Sequence, residues 1–337
     1  MERKSHKPED LSFWITKALK LLNCPQDHAE LIASELILTS LWGIDSHGVE
    51  RIFHYLKRLE NGTINSNPNF EFKKKAKAVG ILNADDAHGI VSMNKAVNWG
   101  LQLAEEFGIS SVGVHRSTHC GAIGLYTRKI ARKGMIGIAF THSDSLVVPT
   151  YGSQKFFGTN PISISIPRKN NDICLDMATS IKPWNYVINS RQNDQTLEEN
   201  IAVNSKGEIT TNPFEADALL PFGDYKGFGL GMMIDILCGP LNGMKYGPKL
   251  SSMHFDLDKK RNLGSTIIVI NPKAFNGSEY FTEIINDMIL DLKDANPKTY
   301  LPGEKENISY QKRLKQGIPI SEDFQKNFEL WSIKLNI

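Results

Sequence analysis

The sequence predicts an α/β protein in which helices from both chain ends accompany a strand-rich centre. Between about 78 and 275, short apolar or β-branched runs alternate with helical stretches, whereas the flanking segments carry helical periodicity alone. A length of 337 residues leaves room for two hydrophobic cores. The expected division is a helical unit of 1–75 together with 290–337, and an α/β unit of 76–289.

The elements follow in order. Leu11, Trp14, Ile15, Ala18, Leu19 and Leu22 share one helix face, which predicts an amphipathic helix over 8–22. After Asn23-Cys24-Pro25 the pattern repeats through Ala29, Ile32, Ala33, Leu36, Ile37 and Leu41, and Gly43 ends it. Asp45 or Ser46 can cap a third helix over about 47–60 with the stripe Val49, Ile52, Phe53 and Leu56. His47, Arg51 and Tyr55 recur every four residues, so they line a neighbouring face. Residues 61–78 read as a link, and Lys73-Lys74-Lys75 as a solvated loop or strand edge.

Val79-Gly80-Ile81-Leu82 is strand-like, and 92–107 is a helix closed by Gly108. A strand over 111–115, a helix over about 123–133 ended by Gly134, and a strand over 135–140 come next. The run Ile162-Ser163-Ile164-Ser165-Ile166 alternates as a half-buried strand should, and 173–177 is another strand. Residues 186–213 are polar and Asn-rich, expected to wander over the surface. A Gly-rich turn at 222–229 opens a helix to about 237, and 265–271 is a β-branched strand. Phe281, Ile284, Ile285, Met288, Ile289 and Leu292 mark one more amphipathic helix, and a final one starts near 321.

Bulk properties narrow the function. Net charge is +2, which implies neither a nucleic acid nor a membrane partner. The four cysteines, Cys24, Cys120, Cys174 and Cys238, form no CxxC pair, which fits a reducing compartment. The charged start MERKSHKPED lacks an apolar signal region, and no run reaches membrane-spanning length, so a cytoplasmic protein is expected. No metal site is expected: there is no HExxH, and His115 and His119 sit in a strand and turn.

Three pieces carry chemistry. His119 follows the apolar strand Val112-Gly113-Val114 and precedes Cys120-Gly121-Ala122-Ile123-Gly124. A strand-end histidine beside glycines suits proton transfer, and equally suits a hydrogen-bonded turn. Ser46 and His47 stand beside the free N–H groups of a helix start with Arg51 one turn on, an arrangement that suits a carboxylate. Lys226 within Phe222-Gly223-Asp224-Tyr225-Lys226-Gly227-Phe228-Gly229 suits phosphate or developing negative charge. Neither GxGxxG nor GxxxxGK[ST] occurs. From these residues alone the chain reads as an α/β enzyme with a histidine, an arginine and an anion-binding turn.

Together the pieces resemble the malate/L-lactate dehydrogenase family that does not use a Rossmann fold. The resemblance spans about 8–320. It rests on Asp45-Ser46-His47-Gly48 with Arg51, Thr118-His119-Cys120-Gly121-Ala122 and Phe157-Gly158-Thr159-Asn160-Pro161. Asp176-Met177-Ala178-Thr179-Ser180, Lys226-Gly227-Phe228-Gly229 and Pro302-Gly303-Glu304 follow in the family's order. Ser143-Asp144, Leu219-Leu220-Pro221, Met233-Ile234-Asp235, Ser251-Ser252-Met253 and Arg261-Asn262-Leu263-Gly264 are similar to the branch acting on ureidoglycolate.

The resemblance implies a non-Rossmann NAD(P)-binding α/β domain plus a helical domain, of the L-sulfolactate dehydrogenase-like kind. It implies oxidation of a small 2-hydroxy acid, or reduction of its 2-oxo acid, with NAD as cofactor and NADP left open. His119 matches the general acid/base. Ser46, His47, Arg51 and Tyr55 match substrate positions, with Arg51 as carboxylate clamp. Ser143, Asp176, Met177, Ala178 and Lys226 match cofactor positions, to which Pro302 and Gly303 add. A homodimer with the site at the subunit interface is also implied.

The chain departs from the family at Pro183-Trp184-Asn185-Tyr186, where a glycine and lysine are usual, within 190–203, and at Tyr151-Gly152-Ser153. Three readings follow. The first is a dehydrogenase of ureidoglycolate or a malate-, lactate- or sulfolactate-like acid. The second is a reductase of a cyclic imine or sugar-derived oxo acid, and the third is a nicotinamide-binding protein without catalysis.

Overall fold

The computed structural model describes residues 4–169 and 171–337. Its main body is a seven-stranded sheet in the order Glu71–Ala76, Val79–Asn83, Ile109–Ser117, Leu263–Ile270, Ile136–Thr141, Ile162–Ile166 and Ile173–Met177. Only Val79–Asn83 against Ile109–Ser117 is parallel; every other pair in this sheet is antiparallel. A fully parallel, doubly wound sheet is therefore not formed, as the missing Gly-rich fingerprint foretells.

Alternation along the strands separates two cores. Ile267 and Val269 join Val112, Val114 and Ala139 beneath helices Gly89–Phe107 and Gly124–Ala131. Ile268, Phe140 and Ile162 face the opposite way, onto Ile234 and Cys238 of helix Tyr225–Cys238. Successive side chains of a strand point to opposite faces, so one strand serves both layers.

A third core is helical and draws on both ends of the chain. Helices Pro8–Leu21, Gln26–Leu41 and Ile52–Glu60 bury Leu11, Ile15, Leu36, Ile52 and Leu56 against Ile318, Phe324 and Trp331. The strand Ser5–His6 pairs antiparallel with Ile318–Pro319, and Trp14 Nε1 donates to Ser332 Oγ at 2.8 Å. Ser321 caps helix Glu322–Leu335, as its position predicts. The 75/76 boundary drawn from the sequence falls inside the strand Glu71–Ala76, and 289/290 inside helix Ser278–Ala295.

Three expectations are corrected. The region 47–60 is not one helix: 3₁₀ turns Asp45–His47 and Val49–Arg51 precede helix Ile52–Glu60. The break falls at Gly48, whose φ of −90° and ψ of −145° are not helical. This glycine packs so tightly on helix Gln26–Leu41 that a Cβ there would lie 2.1 Å from Ser40 Oγ. Second, the link 61–78 contains the strand Glu71–Ala76, where exposed lysines blunt a sheet edge against further pairing. Third, 186–213 is ordered. Helix Trp184–Gln192 and a three-stranded sheet of Ala202–Val203, Ile209–Thr210 and Ala218–Leu219 enclose a small core of Val187, Leu197, Ile201 and Leu219.

Candidate active site

The strand Ile109–Ser117 delivers His119. Thr118 fixes the turn, because its Oγ1 donates to Ala87 O and accepts from Gly89 N–H, both at 3.0 Å. A Cβ on Gly89 would stand 2.4 Å from Thr118 O, so only glycine lets the helix start approach this closely.

The imidazole of His119 is then held from one side. Its Nδ1 lies 2.7 Å from Tyr55 Oη, and Gly121 N approaches the same nitrogen at 3.3 Å. Nε2 has no hydrogen-bond partner among the described residues and is the nitrogen left for a ligand. The ring of His47 stacks on His119 with centroids 5.5 Å apart, and Ser46 Oγ sits 2.8 Å from His47 Nδ1. Tyr55 is buried and packs edge-on against His88 at 4.3 Å.

Arg51 completes the group. Its Nε donates to Ser46 O and its Nη2 to Asn185 Oδ1, both at 2.6 Å. The 3₁₀ turns and the short helix thus keep Ser46, His47, Arg51 and Tyr55 on one side of the chain despite the break at Gly48.

The electrostatics are one-sided. Burial pushes the His119 pKa well below its usual value, and the charges of His47, Arg51, His54 and Arg261 add to this. Burial and Arg51 lower His47 to about 3. Burial raises the Tyr55 phenol above its ordinary value, so it stays protonated. The result is a neutral imidazole in a positive field. A carboxylate bound at Arg51 would offset that field and restore the capacity of His119 to hold a proton.

A second group adjoins this one. Asp176 Oδ2 accepts from Gly124 N–H at 2.8 Å, five residues beyond His119. Asp176 itself is exposed to solvent in this chain. Ser143 Oγ accepts from Thr159 N–H at 3.1 Å, and Thr179 donates through N and Oγ1 to Thr159 O. Thr179 O in turn accepts from Phe222 N–H, where the Gly-rich turn begins. Gly223 and Asp224 both take positive φ there, and exposed Lys226 lies in the first turn of the helix. Pro302 O accepts from Cys174 N–H, and Arg128 Nη2 donates to Gly303 O. Ser143, Asp176, Met177, Ala178, Lys226, Pro302 and Gly303 thus belong to one connected set of loops and helix starts.

Sequence reasoning missed two partners. Asn185, on Arg51, lies in the stretch where the family pattern fails, so it carried no signal. Arg261 donates to Asp144 Oδ1 at 2.6 Å across 117 positions, a pairing that periodicity does not encode.

The site sets one histidine with a free nitrogen beside a guanidinium, an arrangement suited to proton exchange with a small anion. The protein belongs to the malate/L-lactate dehydrogenase family, whose sequence model matches residues 6–329. Ureidoglycolate dehydrogenase (NAD(+)) of Escherichia coli K12 is 36% identical over 304 residues, covering 88% of this chain and 87% of its own. The malate/(S)-sulfolactate dehydrogenase of Methanothermus fervidus is 31% identical over 332 residues, covering 98% of both. Among solved structures, sulfolactate dehydrogenase from Methanocaldococcus jannaschii superposes with a TM-score of 0.93 at 28% identity, over 99% of this chain and 98% of that one. Among the described residues no helix is long and apolar enough to cross a membrane.

Proposed function

We propose that the protein is an NAD(P)-dependent dehydrogenase interconverting a small 2-hydroxy acid and its 2-oxo acid. NAD is the expected form of the cofactor, and ureidoglycolate is the substrate to test first, since the E. coli relative carries both in its name. The observation that carries this reading is His119, engaged at Nδ1 and open at Nε2 beside Arg51.

In oxidation the neutral ring would act in the tautomer that carries its hydrogen on Nδ1, which Tyr55 Oη at 2.7 Å can accept in place of the contact from Gly121 N–H, so that Nε2 presents its lone pair to the C2 hydroxyl. Nε2 takes the hydroxyl proton as the C2 carbonyl forms. Tyr55 keeps the ring oriented while it carries the extra proton, and Arg51 holds the carboxylate so that C2 lies in reach. The reverse reaction returns the proton from Nε2 to the carbonyl oxygen.

The loops around Asp176 fit a nicotinamide dinucleotide. A Cβ on Gly124 would stand 2.8 Å from Asp176 Oδ2, so the glycine leaves room for a carboxylate able to accept from a sugar hydroxyl. The uncapped first turn bearing Lys226 suits phosphate. When bound, the cofactor would supply the nicotinamide that accepts the hydride leaving C2 of the acid. Ser143, Asp176, Met177, Ala178, Lys226, Pro302 and Gly303 would hold it.

A cytosolic homodimer fits the surface and the thiols. Tyr280, Ile284 and Met288 form an apolar stripe at helical spacing that is 54%, 47% and 52% exposed, more than a lone chain normally leaves bare. Met232, Met233 and Ile236 add a second exposed patch on helix Tyr225–Cys238. The four cysteines are free and buried.

Steady-state turnover with NAD or NADP against ureidoglycolate, malate, lactate and the corresponding oxo acids tests the proposal. Turnover is expected with one of them, and Arg51→Met should raise KM for that acid roughly 10- to 100-fold, the worth of one charge-assisted contact. A smaller change is expected in kcat, because the clamp acts in ground and transition states alike. No turnover and no nicotinamide binding would reject the function; an unaltered KM in Arg51→Met would reject the clamp.

A further inference from the structure

The turn before helix Gly89–Phe107 carries more strain than a connection needs. Asp85 and Asp86 take φ of 51° and 61°, two successive left-handed residues that bear a Cβ. A fold keeps such strain where the surroundings over-determine a position. Asp86 shows how: its N–H donates to Arg116 O at 2.8 Å, and its Oδ2 accepts from Arg116 Nη2 at 2.8 Å and from Lys260 Nζ at 2.7 Å. Arg116 lies on Ile109–Ser117, the strand that delivers His119.

His88 is what this turn presents. Its neighbours Ala87 and Gly89 are both held by Thr118 Oγ1, one residue before His119. His88 is 4% exposed, and its Nδ1 caps the helix by accepting from Ile90 N–H at 3.2 Å. Accepting at Nδ1 puts the hydrogen of the neutral ring on Nε2. That nitrogen is buried and has no hydrogen-bond partner among the described residues. Ser, Asp or Asn would cap the helix without burying an unanswered N–H, so the imidazole has a task beyond capping. What it packs against is Tyr55: the rings stand edge to face, centroids 4.3 Å apart and planes at 78°.

We propose that His88 is a positioning residue for the proton transfer, holding the Tyr55 ring so that its hydroxyl stays on His119 Nδ1. This rests on the reading of His119 as the acid/base of a 2-hydroxy acid dehydrogenase and deepens it. At rest Gly121 N–H donates to Nδ1, so Tyr55 Oη 2.7 Å away is a donor to it as well. For Nε2 to act as the base, Nδ1 must carry the hydrogen and Tyr55 Oη must accept it. Rotation of the hydroxyl hydrogen makes that exchange only if the phenol ring itself keeps its place.

The packing suits that task. The rings of His54 and His119 stand 6.0 Å from Tyr55, so the 4.3 Å contact of His88 is the closest of the three. Edge-to-face contact is a preferred aromatic arrangement and fixes tilt as well as distance. Burial lowers the His88 pKa to about 3, so the ring stays neutral and adds no charge to the site. One segment therefore holds the catalytic imidazole twice, through Thr118 on the chain that carries it and through Tyr55 at its Nδ1.

Two substitutions separate the cap from the ring. His88→Asn keeps a side chain able to cap the helix and removes the ring, whereas His88→Phe keeps a ring and removes the cap. His88→Asn is expected to lower kcat roughly 10- to 100-fold with KM within about 3-fold of wild type, the effect of a small misplacement at the reacting group. His88→Phe should recover most of that kcat while melting a few degrees lower. In a double-mutant cycle with Tyr55→Phe, which removes the hydroxyl, the His88→Asn loss should shrink to about 3-fold or less. A readout without turnover is the Nδ1 resonance of His119 in protein carrying ¹⁵N-labelled histidine, identified by its absence in His119→Asn. In His88→Asn it should move toward its position in Tyr55→Phe. A folded His88→Asn protein with wild-type kcat overturns the proposal, as does a loss of undiminished size in the Tyr55→Phe background or a loss confined to KM. Failure of the wild type to turn over any acid would instead strike the 2-hydroxy acid reading. The His119 resonance would still decide the role of His88, since a signal unmoved in His88→Asn overturns the positioning.

Discussion

His119→Asn is expected to lower kcat/KM by about 10²- to 10⁴-fold in both directions, the range for loss of a positioned general acid/base. Asparagine keeps a polar group of similar reach near Tyr55 Oη, which contacts His119 Nδ1 at 2.7 Å, but it cannot exchange a proton at the position of Nε2. The loss should fall on kcat, with nicotinamide affinity within a few-fold of wild type, because Asp176, Ser143 and Lys226 are untouched. Single-turnover kinetics and cofactor titration separate these effects. The pH profile gives an independent check. The His119 pKa lies well below the usual value, through burial first and then the charges of His47, Arg51, His54 and Arg261. Oxidation needs the neutral ring, so kcat/KM for the hydroxy acid should stay level from pH 7 to below 6.5. Reduction needs the protonated ring and should accelerate over the same descent. An oxidation profile that breaks at or above 6.5 would place a different base in the site.

The second large effect is acid lability. His47, His54 and His88 are lowered to about 3, 2 and 3, and His119 well below 6.5, in each case mainly by burial. In the unfolded chain these rings take up protons near pH 6.5, while the folded chain refuses them. Protons bound by the unfolded state alone destabilise the fold as pH falls, so their contribution is intact above 6.5 and lost below it. Glu35 acts in the opposite sense, because burial raises it and the folded state protonates it first. Four histidines against one carboxylate leave a difference of about two to three protons between pH 6.5 and 5. At about 1.4 kcal/mol per proton per pH unit, stability should fall by roughly 3–4 kcal/mol for each unit. Urea melts at pH 7.5, 6.5 and 5.5 measure this directly. Midpoints that stay level would show that the histidines admit protons in the folded state.

The sequence exposed the site where local spacing carries the geometry. His119 was legible because a strand end, a polar turn and small residues are contiguous. Arg51 and Tyr55 were legible because steps of four residues survive the exchange of one helical turn for 3₁₀ turns. The strand Glu71–Ala76 was only half legible, as a solvated loop or strand edge, because its lysines disguise the alternation that an edge strand needs only weakly. Helix Trp184–Gln192 was hidden because Pro183, at its N-cap, reads from sequence as a break. The pairings of Asn185 and Arg261 were not readable for a different reason. Their partners Arg51 and Asp144 lie 134 and 117 positions away, and only the folded chain brings them together. Much of what positions His119, Arg51 and Tyr55 was therefore local, and the partners of Arg51 and Asp144 were not.

The most direct measurement follows one atom. The protein is supplied with NAD and a 2-hydroxy acid deuterated at C2, ureidoglycolate or malate, and the reduced nicotinamide is analysed by mass. The deuterium is expected in the nicotinamide, turnover is expected to be slower than with the unlabelled acid, and His119→Asn should form the labelled nicotinamide about 10²- to 10⁴-fold more slowly. Deuterium released to water, or transfer at the wild-type rate in the His119→Asn protein, would contradict hydride transfer assisted by His119.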